Sequence, residues 1–354
     1  MPGAHPAVAR AEHLLQLGRP DAALGLLGPD LTQQPDDADL LTCAAYAYLL
    51  KEDWGQAAEL GRRASAADPD RDRPLRIQAS ALLRLGQVTD ATALAHRAVQ
   101  MAPDVYNSHL LYAQCLSGIP RSHEHAMAEA RRSVELAPRE PSAHIGLAQV
   151  AYPPEKIISP RRLDVAEQAL QRALALDPQN SVAMNELARV RLRRSKRFGA
   201  MTGFSDALTA DPQNQTALRN TGVVLGGFLK FAHVLILAAM LVSLVALDLD
   251  AGVGGRIAQA VVSVGVVGVV VWFVVRVRMA VPRRFQVFLR EFARRDRWAV
   301  AWAGCLAAAV LLLLGALLLP ADARGDADVS ALVVVAGGVF CRRMWIVSRR
   351  RPRS

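Results

Sequence analysis

The chain has 354 residues, of which 52% are hydrophobic and 21% charged, with a net charge of +10. Glycine and proline are too few for a collagenous or low-complexity chain, and four dispersed cysteines exclude a disulfide framework or a zinc site of the usual spacing. Residues 1–221 contain 25 basic and 25 acidic side chains, so the whole excess of charge lies in residues 222–354. There the arginines alternate with long apolar runs, which favours a membrane protein over a nucleic-acid-binding protein.

The first part of the chain is an internal repeat. Six prolines recur at intervals of 34, 34, 35, 40 and 34 residues, and an alanine lies twelve residues before each of them. The prolines are Pro35, Pro69, Pro103, Pro138, Pro178 and Pro212. In the second unit Leu41, Ala44, Ala45 and Tyr48 follow the spacing of a helix face, and a second helix follows the break near Trp54. One such helix pair cannot cover its own apolar face, so neighbouring pairs are expected to stack into a solenoid.

These residues resemble the tetratricopeptide repeat (TPR) family, whose units carry large, small and aromatic residues, two alanines and a proline at fixed positions. The second unit supplies Leu41, Ala45, Tyr48, Ala57, Ala64 and Pro69. The third unit supplies Leu75, Ala79, Leu82, Ala91, Ala98 and Pro103. The resemblance implies an all-α, right-handed helical solenoid over residues 4–214. Its six units are 4–37, 38–71, 72–105, 106–140, 141–180 and 181–214.

The fifth unit departs from this pattern. It contains six extra residues near Pro153–Pro160, between its two predicted helices. Loops between helices tolerate added length at little cost. The insertion is therefore predicted to be either a binding loop or an inert addition, and the inert addition is favoured.

The second part of the chain predicts a transmembrane helical bundle over residues 231–347, reached through a capping or connecting helix at 215–230. A helix needs about 20 apolar residues to cross a bilayer core. Four candidate spans are near 231–247, 257–275, 299–319 and 329–347. The fourth reaches this length only if it continues past Arg342 and Arg343. His233 is expected to mark the cytoplasmic edge of the first span.

The arginines predict the orientation. Seven lie in the connection 277–297 and four more in the C-terminal tail, whereas the other two connections are mainly acidic. Because basic residues stay on the cytoplasmic side, this connection and the C-terminus are predicted to be cytoplasmic. An even number of spans then places the repeat domain in the cytoplasm as well. The expected location is the plasma membrane of a bacterial-type cell.

The basic connection 277–297 has the pattern of an amphipathic helix. Two interpretations stay open: a helix in the headgroup layer that contacts anionic lipid, and a helix packed on the repeat domain. The interfacial interpretation is favoured because three of the nine phenylalanines occur here. The predicted lipid-facing residues are Phe285, Phe288, Leu289, Phe292, Arg283, Arg284, Arg290 and Arg294.

No nucleotide-binding loop, metalloprotease motif or nucleophile elbow is present, so neither an enzyme nor a cofactor or metal site is predicted. The family resemblance implies instead a groove, lined by the first helix of each repeat, that binds a peptide or a partner's helix. The candidate lining residues are Arg73, Arg76, Arg84, Asn107, Gln114, Gln149, Asn185 and Arg189. Arg76 and Ser80 stand where chaperone-binding members carry Lys and Asn, so the carboxylate clamp is not reproduced. The arginines of the third unit either favour an acidic ligand or form a solvated face.

The sequence therefore predicts a non-enzymatic, membrane-anchored scaffold that binds protein partners through a cytoplasmic TPR groove and takes part in assembling a membrane complex. Protein ligands and anionic lipid are the expected partners, and nucleic acid is not. The alternative is a subunit of a transporter or channel with a regulatory TPR domain. Polar residues within the predicted spans are few, which disfavours this alternative.

Overall fold

The computed structural model of the chain describes residues 6–153, 159–248, 297–318 and 334–344, with short pieces between 261 and 275 and residue 330. All regular secondary structure in these ranges is α-helical. Contacts divide the chain into two compact units, Met1–Pro178 and Gln179–Ser354. This division falls one repeat before residue 214, where the sequence analysis ends the solenoid. The two units are described separately.

The first unit is a stack of five helix pairs. Each helix packs against the next, and the first helix of each pair also contacts the first helix of the following pair. These contacts define a TPR-like helical solenoid. Its helices are α1 (Pro6–Gln16), α2 (Pro20–Gln33), α3 (Ala38–Leu50), α4 (Trp54–Ala67), α5 (Asp72–Arg84), α6 (Val88–Met101), α7 (Tyr106–Ser117), α8 (His123–Leu136), α9 (Pro141–Ala151) and α10 (Pro160–Leu176).

Small residues allow the close helix packing in this unit. The alanine that lies twelve residues before each repeat proline has no exposed surface, as at Ala57 and Ala91. Gly61 of α4 approaches α5 so closely that an added Cβ would lie 3.1 Å from the Cβ of Gln78. Larger side chains at these positions would force the helices apart.

The helix boundaries follow from local chemistry. The Asp37 carboxylate accepts a hydrogen bond from the Leu40 amide at 2.8 Å and thereby caps the start of α3. Between the two helices of a pair the chain turns through a residue with positive φ, such as Gly18 (67°) and Gly86 (80°), which glycine adopts without strain. Of the insertion predicted in the fifth repeat, residues 154–158 lie outside the described range.

The second unit contains one more helix pair, α11 (Ser181–Arg193) and α12 (Arg197–Ala210), followed by the 34-residue α13 (Gln215–Asp248). The first part of α13 packs Ala217, Val224 and Phe228 against α11 and α12, in a core that also contains Phe204. The predicted capping helix and the predicted first span are therefore parts of a single helix, without a break at residue 230.

A second apolar core follows along α13. Ile236 packs against Trp302 and Leu306 of α14 (Arg297–Leu318) and against Val335 of the helical segment 334–344. Within the described residues one helical stretch, Gln215–Ala238, is long and apolar enough to cross a membrane by length and composition, with a mean hydropathy of 1.8. The predicted span 257–275 lies mostly outside the described residues, whereas the helical segment 334–344 covers the central part of the predicted span 329–347.

Candidate functional site

A cleft opens in the first unit between the first helices of the first three repeats. Its volume is about 160 Å³. α1 and α3 each contribute one apolar or hydroxyl residue and one carboxylate, and the start of α5 contributes two arginines and a proline. The lining residues are Val8, Glu12, Asp39, Thr42, Arg71, Arg73 and Pro74. Of these, only Arg73 was predicted from the sequence.

Two ion pairs cross this cleft. The Arg73 guanidinium donates to the Glu12 carboxylate at 2.5 Å, so the third repeat is joined to the first, past α3. Arg71 pairs with Asp39 and also reaches Asp68, with 2.8 Å between its Nε and the Asp68 Oδ2. The hydrogen bond that Arg71 donates to the Asp39 carboxylate raises the pKa of the Arg71 guanidinium. Both arginines of the cleft are therefore neutralised by acidic residues of the chain itself.

The other two predicted arginines of the third repeat also have internal partners. Arg76 is half-buried and pairs with Asp72 one helical turn earlier, at 2.6 Å. Arg84 lies at the far end of α5, with its guanidinium carbon 4.9 Å from the centre of the Trp54 ring, a cation–π contact. The structure therefore does not bring Arg73, Arg76 and Arg84 together as one positive patch.

The predicted amide residues of the first unit lie on the first helices of the fourth and fifth repeats. Asn107 and Gln114 belong to α7, where Asn107 is exposed and Gln114 half-buried. Gln149 belongs to α9 and is half-buried. These three residues stay candidates for ligand contact, separate from the cleft between the first three repeats.

The fourth and fifth repeats contain two buried histidines that the sequence analysis overlooked. The His109 Nε2 lies 2.8 Å from the carbonyl oxygen of Pro103, and the His144 Nε2 lies 3.0 Å from that of Pro138. The Nδ1 of His109 lies 2.6 Å from the Glu129 carboxylate, so both of its nitrogens face acceptors and both can donate only in the doubly protonated ring. Each histidine lies six residues after a repeat proline, and in the second repeat the same position is occupied by Leu41, six residues after Pro35. This shared position in the repeat could have predicted that both histidines are buried.

The two candidates in the second unit form a polar chain between α11 and α13. Asn185 is 2% exposed, and its side-chain oxygen accepts a hydrogen bond from Asn220 at 2.9 Å. The neighbouring Glu186 is 7% exposed and pairs with Arg189 at 2.6 Å. Asn185 therefore joins two helices and has no free surface for a ligand, because burial requires its polar atoms to be satisfied internally. Glu186 and Asn220 were not predicted.

His233 is a core residue of the second unit. It is 2% exposed, and the Trp302 indole N–H donates to its Nδ1 at 3.3 Å. Gly338 of the segment 334–344 lies against both rings, since an added Cβ would be 3.5 Å from each. His233 thus lies in a helix–helix contact. Its expected place at the cytoplasmic edge of the first span stays a prediction.

The predicted lipid-facing residues all belong to residues 277–296 of the basic connection, which lie outside the described residues. They stay predictions. These residues are Phe285, Phe288, Leu289, Phe292, Arg283, Arg284, Arg290 and Arg294.

Comparisons with known proteins agree with the repeat assignment. Residues 8–72 match the tetratricopeptide repeat family, so the TPR assignment is supported for the first two repeats. Among solved structures, the chain is similar to Pseudomonas aeruginosa PilF, with 19% identity over 60% of this chain and 94% of that one and a TM-score of 0.44. It is also similar to yeast Tom70, with 16% identity over 57% of this chain and 42% of that one and a TM-score of 0.45. No curated protein sequence matches the chain.

Proposed function

We propose that the protein is a non-enzymatic scaffold, anchored in the plasma membrane, that binds protein partners through its TPR repeats and helps to assemble a membrane complex. The repeat domain and the C-terminus are cytoplasmic in this proposal. The observation that carries the proposal is α13, a single helix that packs on the last repeat pair through Phe228 and then enters an apolar core through Ile236. One rigid element thus connects a partner-binding repeat to an apolar segment.

The distribution of exposed apolar side chains supports the anchor. Of the large hydrophobic residues that are exposed in the described parts of the chain, three lie in the first unit and fourteen in the second. Such a concentration of apolar surface is unfavourable in water and favourable in lipid. Phe231, Val234 and Leu311 are examples, with exposures of 52%, 63% and 68%. In this proposal the basic connection 277–297 adds contact with anionic headgroups.

The TPR assignment supports the choice of protein partners over other ligands. A TPR solenoid exposes the first helix of each repeat over a long surface, which suits an extended peptide or a partner's helix. In the first unit this surface includes the cleft lined by Glu12, Asp39, Arg71 and Arg73. The proposal assigns recruitment to this surface and anchoring to the second unit.

A crosslinking pull-down from native membranes tests the proposal. The full chain is compared with a variant that lacks residues 1–214. Partners that disappear with the deletion would support recruitment by the repeats. If the same partners remain, the repeats are accessory and the scaffold proposal is wrong. Alkaline carbonate extraction of the full chain tests the anchor, since a membrane-spanning protein stays in the pellet.

The alternative, a transporter or channel subunit with a regulatory TPR domain, is favoured by one observation. His233 is an ionisable side chain buried inside the apolar core of the second unit, and buried ionisable groups within membranes commonly mark transport paths. Its hydrogen bond with Trp302 also suits a purely structural role. Ion flux in proteoliposomes that is abolished by His233→Phe would support the alternative over the scaffold.

A further inference from the structure

The cleft of the first unit differs from a basic groove because it contains as many acidic as basic side chains. Two carboxylates and two guanidinium groups line it, and they are paired across it as Glu12 with Arg73 and Asp39 with Arg71. Arg76 next to the cleft is likewise paired with Asp72. The cleft therefore presents both signs of charge within reach of one another, and its net charge is close to zero.

These pairs are accessible enough for a ligand to exchange with them. The side chains of Arg73 and Glu12 are 44% and 36% exposed, and those of Arg71 and Asp39 are 48% and 40% exposed. A ligand group that enters the cleft can reach each of these groups from the solvent side. The floor beneath them is formed by Val8, Thr42 and Pro74, which offer little charge of their own.

The pairing determines which ligand enters at the least cost. A purely acidic segment could bind Arg73 only by displacing Glu12, which would then be left without a partner and repelled by the ligand. A purely basic segment would bind the carboxylates by displacing the two arginines, which would then be left without partners and repelled by the ligand. A segment with one acidic and one basic side chain supplies a new partner for both halves of a broken pair. Each exposed ion pair contributes about 1.4- to 5-fold to an equilibrium constant, so two pairs together contribute about 2- to 30-fold.

We propose that this cleft binds peptide segments in which acidic and basic side chains alternate, and that it discriminates against segments of uniform charge. The inference rests on the proposed function, because it defines the chemistry of the partner that the repeats recruit. It also replaces the simpler expectation that the arginines of the third repeat select an acidic ligand. Glu12 and Asp39 are the residues that exclude such a ligand.

Three fluorescent peptides of equal length test the inference on the full chain in nanodiscs of neutral lipid. Their repeating units are Ser-Asp-Ser-Arg, Ser-Asp-Ser-Asp and Ser-Arg-Ser-Arg, and binding is measured by fluorescence anisotropy. The mixed peptide is expected to bind about 2- to 30-fold more tightly than either uniform peptide. In the double variant Glu12→Gln and Asp39→Asn, the preference is expected to move to the acidic peptide by a similar factor.

Two controls separate the cleft from general electrostatics. Glu59→Gln breaks the pair between Glu59 and Arg62 on α4, which does not line the cleft, and is expected to leave the order of the three affinities unchanged. The exchange Glu12→Arg with Arg73→Glu restores the pair in reverse and is expected to retain the preference for the mixed peptide. This variant keeps the test valid if the double neutralisation perturbs folding, which circular dichroism would reveal.

The outcomes also distinguish this inference from the proposed function. The inference about the cleft is overturned if the wild-type chain prefers the acidic peptide or if the double variant keeps the wild-type order of affinities. It is also overturned if no peptide binds up to about 1 mM. Each of these results leaves the scaffold proposal standing, provided that deletion of residues 1–214 still removes partners from native membranes. If the deletion removes none, the scaffold proposal fails even when the peptides bind.

Discussion

The two units contain the same kind of helix pair but differ in the polarity of their exposed surfaces. In the first unit the buried stripe of a helix such as α4 consists of Ala57, Gly61 and Ala64, and no large apolar side chain of this helix is exposed. In the second unit α14 buries Trp302 and Leu306, yet its outward positions are apolar too, with Leu311 68% exposed. Packing alone does not explain apolar residues on both faces. Under the proposed anchor, the outer surface of the second unit would face lipid instead of water, and this would explain the difference.

The largest expected effect tests this difference directly. Leu311→Arg would place a charge near the middle of a predicted span and is expected to disfavour insertion by about 2.5 to 3.5 kcal/mol. Leu17→Arg in the first unit changes a leucine that is also well exposed, at 59%, and is expected to have no measurable effect. The measurement is the fraction of each variant that resists carbonate extraction. Equal fractions for the two variants would show that the outer surfaces do not differ in this way.

The second prediction concerns close packing within the first unit. In Gly146→Ala the new Cβ would lie 2.0 Å from the Leu110 Cδ1, so Leu110 must move. We expect a loss of about 1 to 2 kcal/mol in the free energy of unfolding, because overpacking exceeds the helix propensity gained. Gly25→Ala is the matched control, since nothing lies within 4 Å of its added Cβ, and it is expected to stabilise slightly. Urea unfolding monitored by circular dichroism measures both, and equal effects would contradict the described contact of α7 with α9.

The third prediction is a pH dependence that originates in the buried thiol of Cys43. Burial, assisted by the nearby charge of Glu12, raises the pKa of this thiol from 9.0 to about 11. The folded state therefore keeps a proton that the unfolded chain loses above pH 9, and stability decreases as the pH rises from 9 to 11. Between pH 8 and pH 10 the free energy of unfolding is expected to decrease by about 1 to 1.5 kcal/mol more in the wild type than in Cys43→Ala.

The comparison with Cys43→Ala is needed because Cys115, whose pKa burial raises to about 12, contributes in the same direction. Its contribution is the same in both chains and cancels in the difference. Identical pH profiles for the two chains would show that Cys43 is not held in a desolvated position.

The smallest expected effect belongs to the cleft itself. Glu12→Gln removes one partially exposed ion pair and is expected to reduce stability by only about 0.2 to 1 kcal/mol. The effect should decrease at high salt, because exposed pairs are screened. Urea unfolding at low and high salt provides the measurement. A loss well above this range would mean that the pair between Arg73 and Glu12 is mainly a structural bond between repeats rather than an exchangeable contact.

The repeat architecture could be predicted because its signals are local and recur. The proline near the end of each repeat, the alanine twelve residues before it and the apolar spacing in α3 each act within one helix or turn. The same register could have identified His109 and His144 as histidines in apolar positions. The ion pair between Arg76 and Asp72 could also have been predicted from the sequence, since residues four apart on a helix are neighbours.

The partners of the candidate residues could not be predicted in the same way. Glu12 and Arg73 are 61 residues apart and belong to repeats that are not consecutive, and Asn185 and Asn220 are 35 apart. No local pattern specifies which acidic residue reaches a given arginine across a stack of helices. From the sequence, the arginines of the third repeat were expected either to favour an acidic ligand or to form a solvated face, and neither expectation included these internal acidic partners.

The sequence by itself therefore determined the helical repeats and the contrast between a polar and an apolar half. These properties follow from periodicity and hydrophobicity, which act over a few neighbouring residues. Only the tertiary structure decided that Arg73 is paired with Glu12, that Asn185 is buried against Asn220, and that His233 accepts a hydrogen bond from Trp302. Each of these contacts depends on the distance between helices that are remote in sequence, and that distance is set by the packing of all the helices between them.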